Sequence, residues 1–136
     1  MAFVVDTSVT MAWCFEDEAT DATEVVLERL QQETAVVPPL WHLEVANVLL
    51  VAERRGRIKE AKAGHFLGLL AQLRIEIDQA PTDSSALLAA GRRHGLTAYD
   101  AAYLVLAERL ALPLATLDGR LAEACGTAGV PLLVGG

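Results

Sequence analysis

The chain has 136 residues, 53% of them hydrophobic, and a formal net charge of −7. This length can bury a hydrophobic core without disulfides, and we expect one domain over residues 1–136. No uncharged apolar run reaches the roughly 18 residues of a membrane span, and the amino-terminal MAFVVD lacks the basic lead of an export signal. Cys14 and Cys125 lack the spacing of a zinc or redox motif, so we expect buried free thiols in a cytoplasmic, non-membrane protein.

The negative charge is unevenly distributed along the chain. Residues 1–53 contain ten acids and one base, whereas residues 54–136 contain eight acids and ten bases. The bases concentrate in RRGRIKEAK (residues 54–62) and at Arg92–Arg93. The first cluster is explained either by contact with phosphate or by a helix C-terminus, where cations and a glycine both stabilise the chain. The overall charge disfavours a metal-free RNA-binding module, because such modules are usually basic.

Short apolar runs alternate with longer segments of helical character. The predicted strands span residues 3–5, 35–37, 74–77, 114–116 and 132–134, and the predicted helices span residues 19–32, 40–55, 59–73, 84–94, 98–110 and 120–125. Strands separated by helices indicate an α/β fold, a three-layer α/β/α sandwich around a mostly parallel sheet. In such sheets, ligands bind beyond the carboxyl ends of the strands.

Four acidic residues are predicted to lie at that edge of the sheet. Asp6 and Asp118 follow the first and fourth predicted strands, Glu44 lies early in the helix after the second strand, and Asp100 lies early in the apolar helix 98–110. Each has an ordinary explanation as well, since acids suit turns and helix N-termini. These separate explanations do not account for the position of all four acids at one edge of the sheet. The shared position predicts a carboxylate cluster.

Such a cluster needs a counter-charge. Two carboxylates about 5 Å apart repel by roughly 3 kcal/mol at an effective dielectric near 20. Apart from Arg120, no lysine or arginine is adjacent to any of the four in the sequence, so a bound metal is the natural neutraliser. Oxygen ligands favour Mg²⁺ or Mn²⁺ over Zn²⁺, and the three histidines are too scattered to alter that choice. A centre of this kind activates water for attack on a phosphate.

Two polar residues near the cluster are candidates for supporting it. Ser8, two residues after Asp6, is placed to bind a metal water or a phosphate, or alternatively to cap a helix. Asn47 lies one helical turn after Glu44 and is placed to orient that carboxylate, or alternatively to bond to the backbone.

Four segments in this order resemble the PIN domain and, more narrowly, the VapC-like toxins of bacterial type II toxin–antitoxin pairs: FVVDTSVTMAWCFEDE, VVPPLWHLEVANVLLVAERRGRI, AGRRHGLTAYDAAYLVLAERL and LPLATLDGRLAEACGTAGVPLL. The resemblance covers almost the whole chain. It implies that Mg²⁺ or Mn²⁺ is held by Asp6, Glu44, Asp100 and Asp118, with the hydroxyls of Ser8 and Thr116 nearby. It also implies hydrolysis of RNA phosphodiester bonds, a homodimer and an inhibitory antitoxin partner.

Two other functions remain as alternatives to a metal-dependent endoribonuclease. DTSVT resembles the DxDxT signature of haloacid-dehalogenase phosphatases and phosphotransferases, but Ser8 stands where the second aspartate, the general acid, would be. A receiver-like Mg²⁺-binding signalling domain would need an acidic pair after the first strand and a lysine after a late strand, and the chain has neither. The chain also lacks the GxxxxGK and GxGxxG motifs of nucleotide-binding proteins. The sequence leaves open which RNA is cut.

Overall fold

The computed structural model of the chain describes residues 1–134 and contains one five-stranded sheet with the strand order β3-β2-β1-β4-β5. The strands are β1 (Ala2–Val5), β2 (Thr34–Val37), β3 (Ile75–Ile77), β4 (Leu114–Ala115) and β5 (Leu132–Val134). Every strand pairing in this sheet is parallel. The prediction of an α/β/α sandwich with a mostly parallel sheet is confirmed.

Seven α-helices flank the sheet in residues 1–134. They are α1 (Thr7–Ala12), α2 (Asp21–Arg29), α3 (Leu40–Arg54), α4 (Glu60–Ala71), α5 (Ser84–His94), α6 (Ala98–Leu110) and α7 (Gly119–Ala128). The sequence prediction missed α1, because its six residues are too few to show a helical period. The helix predicted at residues 19–32 is shorter, since a 3₁₀ turn (Glu16–Glu18) precedes it and the Thr20 side chain caps α2.

The central strand β1 lies at the point where the chain reverses its direction across the sheet. The chain passes from β1 outward to β2 and β3, and it then returns to place β4 on the other side of β1. Val5 pairs with Ala115, so the carboxyl ends of β1 and β4 are neighbours. Ligands of open α/β sheets bind at such a reversal. A ligand site is therefore expected at the residues that immediately follow these two strands.

The core lies on both faces of β1. Phe3, Val4 and Val5 are completely buried, as are Leu104 of α6 and Leu121 of α7. Both cysteines are buried free thiols, as predicted, and burial raises the pKa of each. In residues 1–134, the helices are all too short or too polar to cross a membrane.

A tight corner joins α5 to α6. Gly95 has a φ of +65°, which favours glycine, and the Leu96 N–H donates to the Gly91 carbonyl over 3.0 Å. A Cβ atom at Gly91 would lie only 3.0 Å from the Leu96 carbonyl oxygen. Thr97 then caps α6 by accepting a hydrogen bond from the Asp100 amide (3.1 Å). The corner therefore holds the end of α5 close to the start of α6.

Candidate metal centre

Asp6 lies directly after β1 and is the most rigidly held of the four acids. Its Oδ1 accepts hydrogen bonds from the Ser8 hydroxyl (2.6 Å) and the Val9 amide (3.1 Å), and its Oδ2 accepts one from the Thr116 hydroxyl. The residue is only 4% exposed. A carboxylate has about four acceptor positions, so roughly one remains for a further ligand.

Burial also makes the charge on Asp6 costly. It raises the pKa of Asp6 to about 6, although the hydrogen bonds from Ser8, Thr116 and Val9 act in the opposite direction. The nearby Asp100 carboxylate adds a smaller rise. A cation bound next to this buried carboxylate would favour its ionised form and lower its pKa.

In protein kept metal-free with EDTA, this shift should appear as pH-dependent stability. Because the pKa of Asp6 is raised from 3.8 to about 6 by folding, its contribution to stability is complete below about pH 4 and is lost as the pH rises through 6. Relative to Asp6→Asn, the parent should lose up to about 3 kcal/mol of unfolding free energy between pH 4 and pH 7. Denaturant unfolding at stepped pH measures this loss. The control Glu28→Gln, at an exposed position, should follow the parent; a parent that follows Asp6→Asn instead would contradict the assignment.

Glu44, the fifth residue of α3, is held by two hydroxyls that the sequence prediction missed. Its Oε1 accepts hydrogen bonds from Thr7 of α1 (2.9 Å) and from Tyr103 of α6 (2.6 Å). Burial and the bond to Glu44 raise the pKa of the Tyr103 phenol, which therefore keeps its proton. Tyr103 lies three residues after Asp100, so the two share a helix face, and a phenol buried in an apolar helix needs a partner. That requirement was the sequence clue to its role.

Among the described residues, Asn47 does not contribute a hydrogen bond to the two that hold Glu44. Asn47 is exposed and makes no hydrogen bond with Glu44 in the structure of residues 1–134. The buried positions of α3 are Trp41, Val45, Leu49 and Ala52. Their stripe turns Asn47 outward, although it lies only one turn from Glu44.

Ser8 and Thr116 connect the segments that follow β1 and β4. Besides donating to Asp6, the Ser8 hydroxyl accepts from the Leu117 amide (2.9 Å), and the Thr116 hydroxyl accepts from the Asp118 amide (3.0 Å). The side chain that caps α1 is that of Asp6, so Ser8 is not its N-cap. Both hydroxyls thus orient Asp6 and fix the two loops against each other.

Asp100 and Asp118 form the more open side of the cluster. Asp100 occupies the first turn of α6, and Asp118 caps α7 by accepting from the Leu121 amide (2.9 Å). Burial, followed by the Asp118 and Glu44 carboxylates, raises the pKa of Asp100. Asp100 also raises the pKa of Asp6, so it interacts electrostatically with each of the other three acids. It is partly exposed at the rim of the fold rather than enclosed by it.

None of these four carboxylates forms an ion pair within residues 1–134. The ion pairs of that part are Arg29–Glu33, Arg57–Asp17, Arg57–Glu18 and Arg109–Asp78. Asp78 provides a contrast, because it also follows a strand, β3, and yet is neutralised by Arg109. An unpaired set of oxygen ligands fits a hard divalent cation such as Mg²⁺ or Mn²⁺.

The four carboxylates do not form a finished coordination shell. No three of the His, Cys, Asp and Glu side chains in residues 1–134 converge closely enough to hold an ion as they stand. The Asp118 carboxylate accepts from a helix amide, and one oxygen of Glu44 accepts from two hydroxyls. These partners therefore set the orientations of the Asp118 and Glu44 carboxylates.

Comparisons with known proteins identify relatives of this chain. The sequence profile of the PIN domain matches residues 3–126. Ribonuclease VapC3 of Pyrobaculum aerophilum is 33% identical over 125 residues, which are 90% of this chain and 94% of VapC3.

Solved structures share the fold. The crystal structure of PAE2754 from Pyrobaculum aerophilum has a TM-score of 0.75 at 23% identity, and the match covers 98% of this chain and 90% of the PAE2754 chain. A toxin–antitoxin complex from Klebsiella pneumoniae has a TM-score of 0.67 at 16% identity, with 98% of both chains covered. The profile match over most of the chain and a relative above 30% identity lead to one conclusion: this chain belongs to the PIN domain family.

Proposed function

We propose that this chain is an Mg²⁺- or Mn²⁺-dependent endoribonuclease and the toxin of a toxin–antitoxin pair. The observation that carries the proposal is the set of four carboxylates at the ends of β1 and β4 and at the starts of α3 and α6. Within residues 1–134, no lysine, arginine or histidine side chain forms an ion pair with any of them. The similar VapC3 protein bears the name ribonuclease, which supports the same activity here. The proposed location is the cytoplasm, whose reducing conditions suit two free thiols.

The residues proposed to hold the cation are Asp6, Glu44, Asp100 and Asp118. When bound, Mg²⁺ or Mn²⁺ supplies the positive charge that activates water and stabilises the charge developing on a phosphate. Asp6 is fixed by three hydrogen bonds, and Glu44 is fixed through one oxygen, which leaves its other oxygen for a ligand. Asp100 and Asp118 are more exposed than Asp6, so the substrate phosphate approaches from their side.

Purified protein incubated with labelled RNA tests the proposal. Internal cleavage should occur with Mg²⁺ or Mn²⁺ and should stop when EDTA is in excess. Cleavage that persists in EDTA would contradict metal dependence. A phosphatase of the haloacid-dehalogenase type would instead form a covalent aspartyl phosphate at Asp6, and a receiver-like domain would take a phosphoryl group from a small donor without cutting RNA. Either result would overturn the ribonuclease assignment.

The proposed protein partners are an antitoxin and a second copy of this chain. The fold shared with the Klebsiella pneumoniae toxin–antitoxin complex supports the antitoxin. Two largely apolar clefts flank α4, one of about 370 Å³ against α3 and β3, and one of about 510 Å³ against α2. Leu67 and Leu69 of α4 and Leu43 and Leu50 of α3 are exposed. Contiguous exposed apolar surface is typical of protein–protein contact.

A further inference from the structure

A polar cleft of about 400 Å³ lies between the end of α5 and one side of α7, from Arg120 to Thr127. Its walls include Arg93, Gly95, Arg120 and Glu123. One end of the cleft is close along the chain to two of the four acids, because Arg120 is two residues after Asp118 and Gly95 is in the corner that leads to Asp100. A strand bound at this end of the cleft would therefore lead toward Asp118 and Asp100.

The cleft carries more positive than negative charge. Arg93 and Arg120 are exposed, and neither forms an ion pair within residues 1–134. Of the described residues that line the cleft, Glu123 is the one with a carboxylate. In a chain of net charge −7, this local excess of guanidinium groups would attract a polyanion toward the cleft.

The position of Arg120 has no explanation within its own helix. It is the second residue of α7, where a cation opposes the positive end of the helix and costs helix stability. Arg93 differs, because it lies in the last turn of α5, where a cation is favourable. A bound phosphate would offset the cost at Arg120, since both the guanidinium group and the amino end of α7 attract an anion.

We propose that Arg93 and Arg120 bind a backbone phosphate of single-stranded RNA next to the phosphate that is cut. This inference rests on the proposed ribonuclease function and assigns two residues that dock its substrate. Guanidinium groups bind phosphate oxygens in a bidentate manner, and Arg93 lines the cleft from the last turn of α5. A phosphate contact adds affinity without selecting a base, so it positions the strand for any sequence.

The double variant Arg93→Gln/Arg120→Gln tests this inference in steady-state cleavage assays. KM should rise about tenfold, since two charge-assisted hydrogen-bonding groups are lost, while kcat should stay within about twofold. The slope of log kcat/KM against log salt concentration should become shallower by about 1.4, because two contacts to single-stranded RNA release fewer counterions. Arg54→Gln/Arg55→Gln is the matched control: it removes the same charge at the end of α3, about 15 Å along the helix from Glu44. Its KM and salt slope should equal those of the parent.

A second variant separates charge from packing. Arg93→Lys/Arg120→Lys keeps both charges but loses the bidentate geometry, so its salt slope should match that of the parent and its KM should lie between those of the parent and the glutamine variant. Equal KM values and salt slopes for the cleft variant and the control would overturn the inference while the ribonuclease function stands. A lysine variant whose salt slope is as shallow as that of the glutamine variant would also overturn it. If the parent cuts no RNA, the proposed function fails and the inference fails with it.

Discussion

Replacing Asp100 with asparagine should lower the rate of RNA cleavage in Mg²⁺ by at least about 100-fold. Asp100 interacts electrostatically with each of the other three acids, and its pKa is raised by burial and by the Asp118 and Glu44 carboxylates. The amide keeps the shape of the side chain but removes the negative charge that a cation would bind. Mutation of a group that only supports a metal ligand lowers metal affinity or activity by about 10–100-fold. Loss of a ligand itself should therefore lower the cleavage rate further. Initial rates with labelled RNA measure the effect.

Asp21→Asn provides the matched control for this experiment. Asp21 is exposed in the first turn of α2, so its replacement changes the net charge by the same amount outside the cluster. The control should cut RNA at the rate of the parent. An Asp100→Asn protein that cuts within about threefold of the parent would remove Asp100 from the proposed site.

The second large effect should be on thermal stability. In EDTA, Asp100→Asn should melt at a higher temperature than the parent, because the substitution relieves repulsion among the carboxylates. Mg²⁺ or Mn²⁺ should then raise the melting temperature of the parent more than that of the variant. A ligand that binds only the folded state stabilises it by about 2.7 kcal/mol at a concentration 100 times its Kd.

Thermal melts with and without the metal measure both parts of this prediction. Asp21→Asn should respond to the metal as the parent does. Equal metal-induced shifts in the parent and in Asp100→Asn would mean that the ion binds without Asp100. A lower melting temperature of Asp100→Asn in EDTA would show that the carboxylate stabilises the metal-free fold, contrary to the repulsion that we infer.

The sheet was predictable because parallel strands buried on both faces are short apolar runs, and β1 is such a run. The strand ends then located Asp6 and Asp118, because the carboxyl ends of parallel strands share one edge. The first helix could not be found in this way, since α1 spans only Thr7–Ala12. Its short length leaves no amphipathic period to detect.

The contacts around Glu44 could not be predicted from local pattern. Its two hydroxyl partners, Thr7 and Tyr103, are 37 and 59 residues away in the chain, and only the packing of α1, α3 and α6 brings them together. Asn47 shows the converse. Its spacing from Glu44 is right for a contact, but the buried stripe of α3 turns it outward.

Crystals soaked in Mn²⁺ and measured for anomalous scattering test most directly whether these acids bind a divalent cation. The expected result is an anomalous peak in contact with carboxylate oxygens from at least three of Asp6, Glu44, Asp100 and Asp118. A peak at other acids, such as Asp78 freed from Arg109, with none among these four, would contradict a metal centre at the ends of β1 and β4.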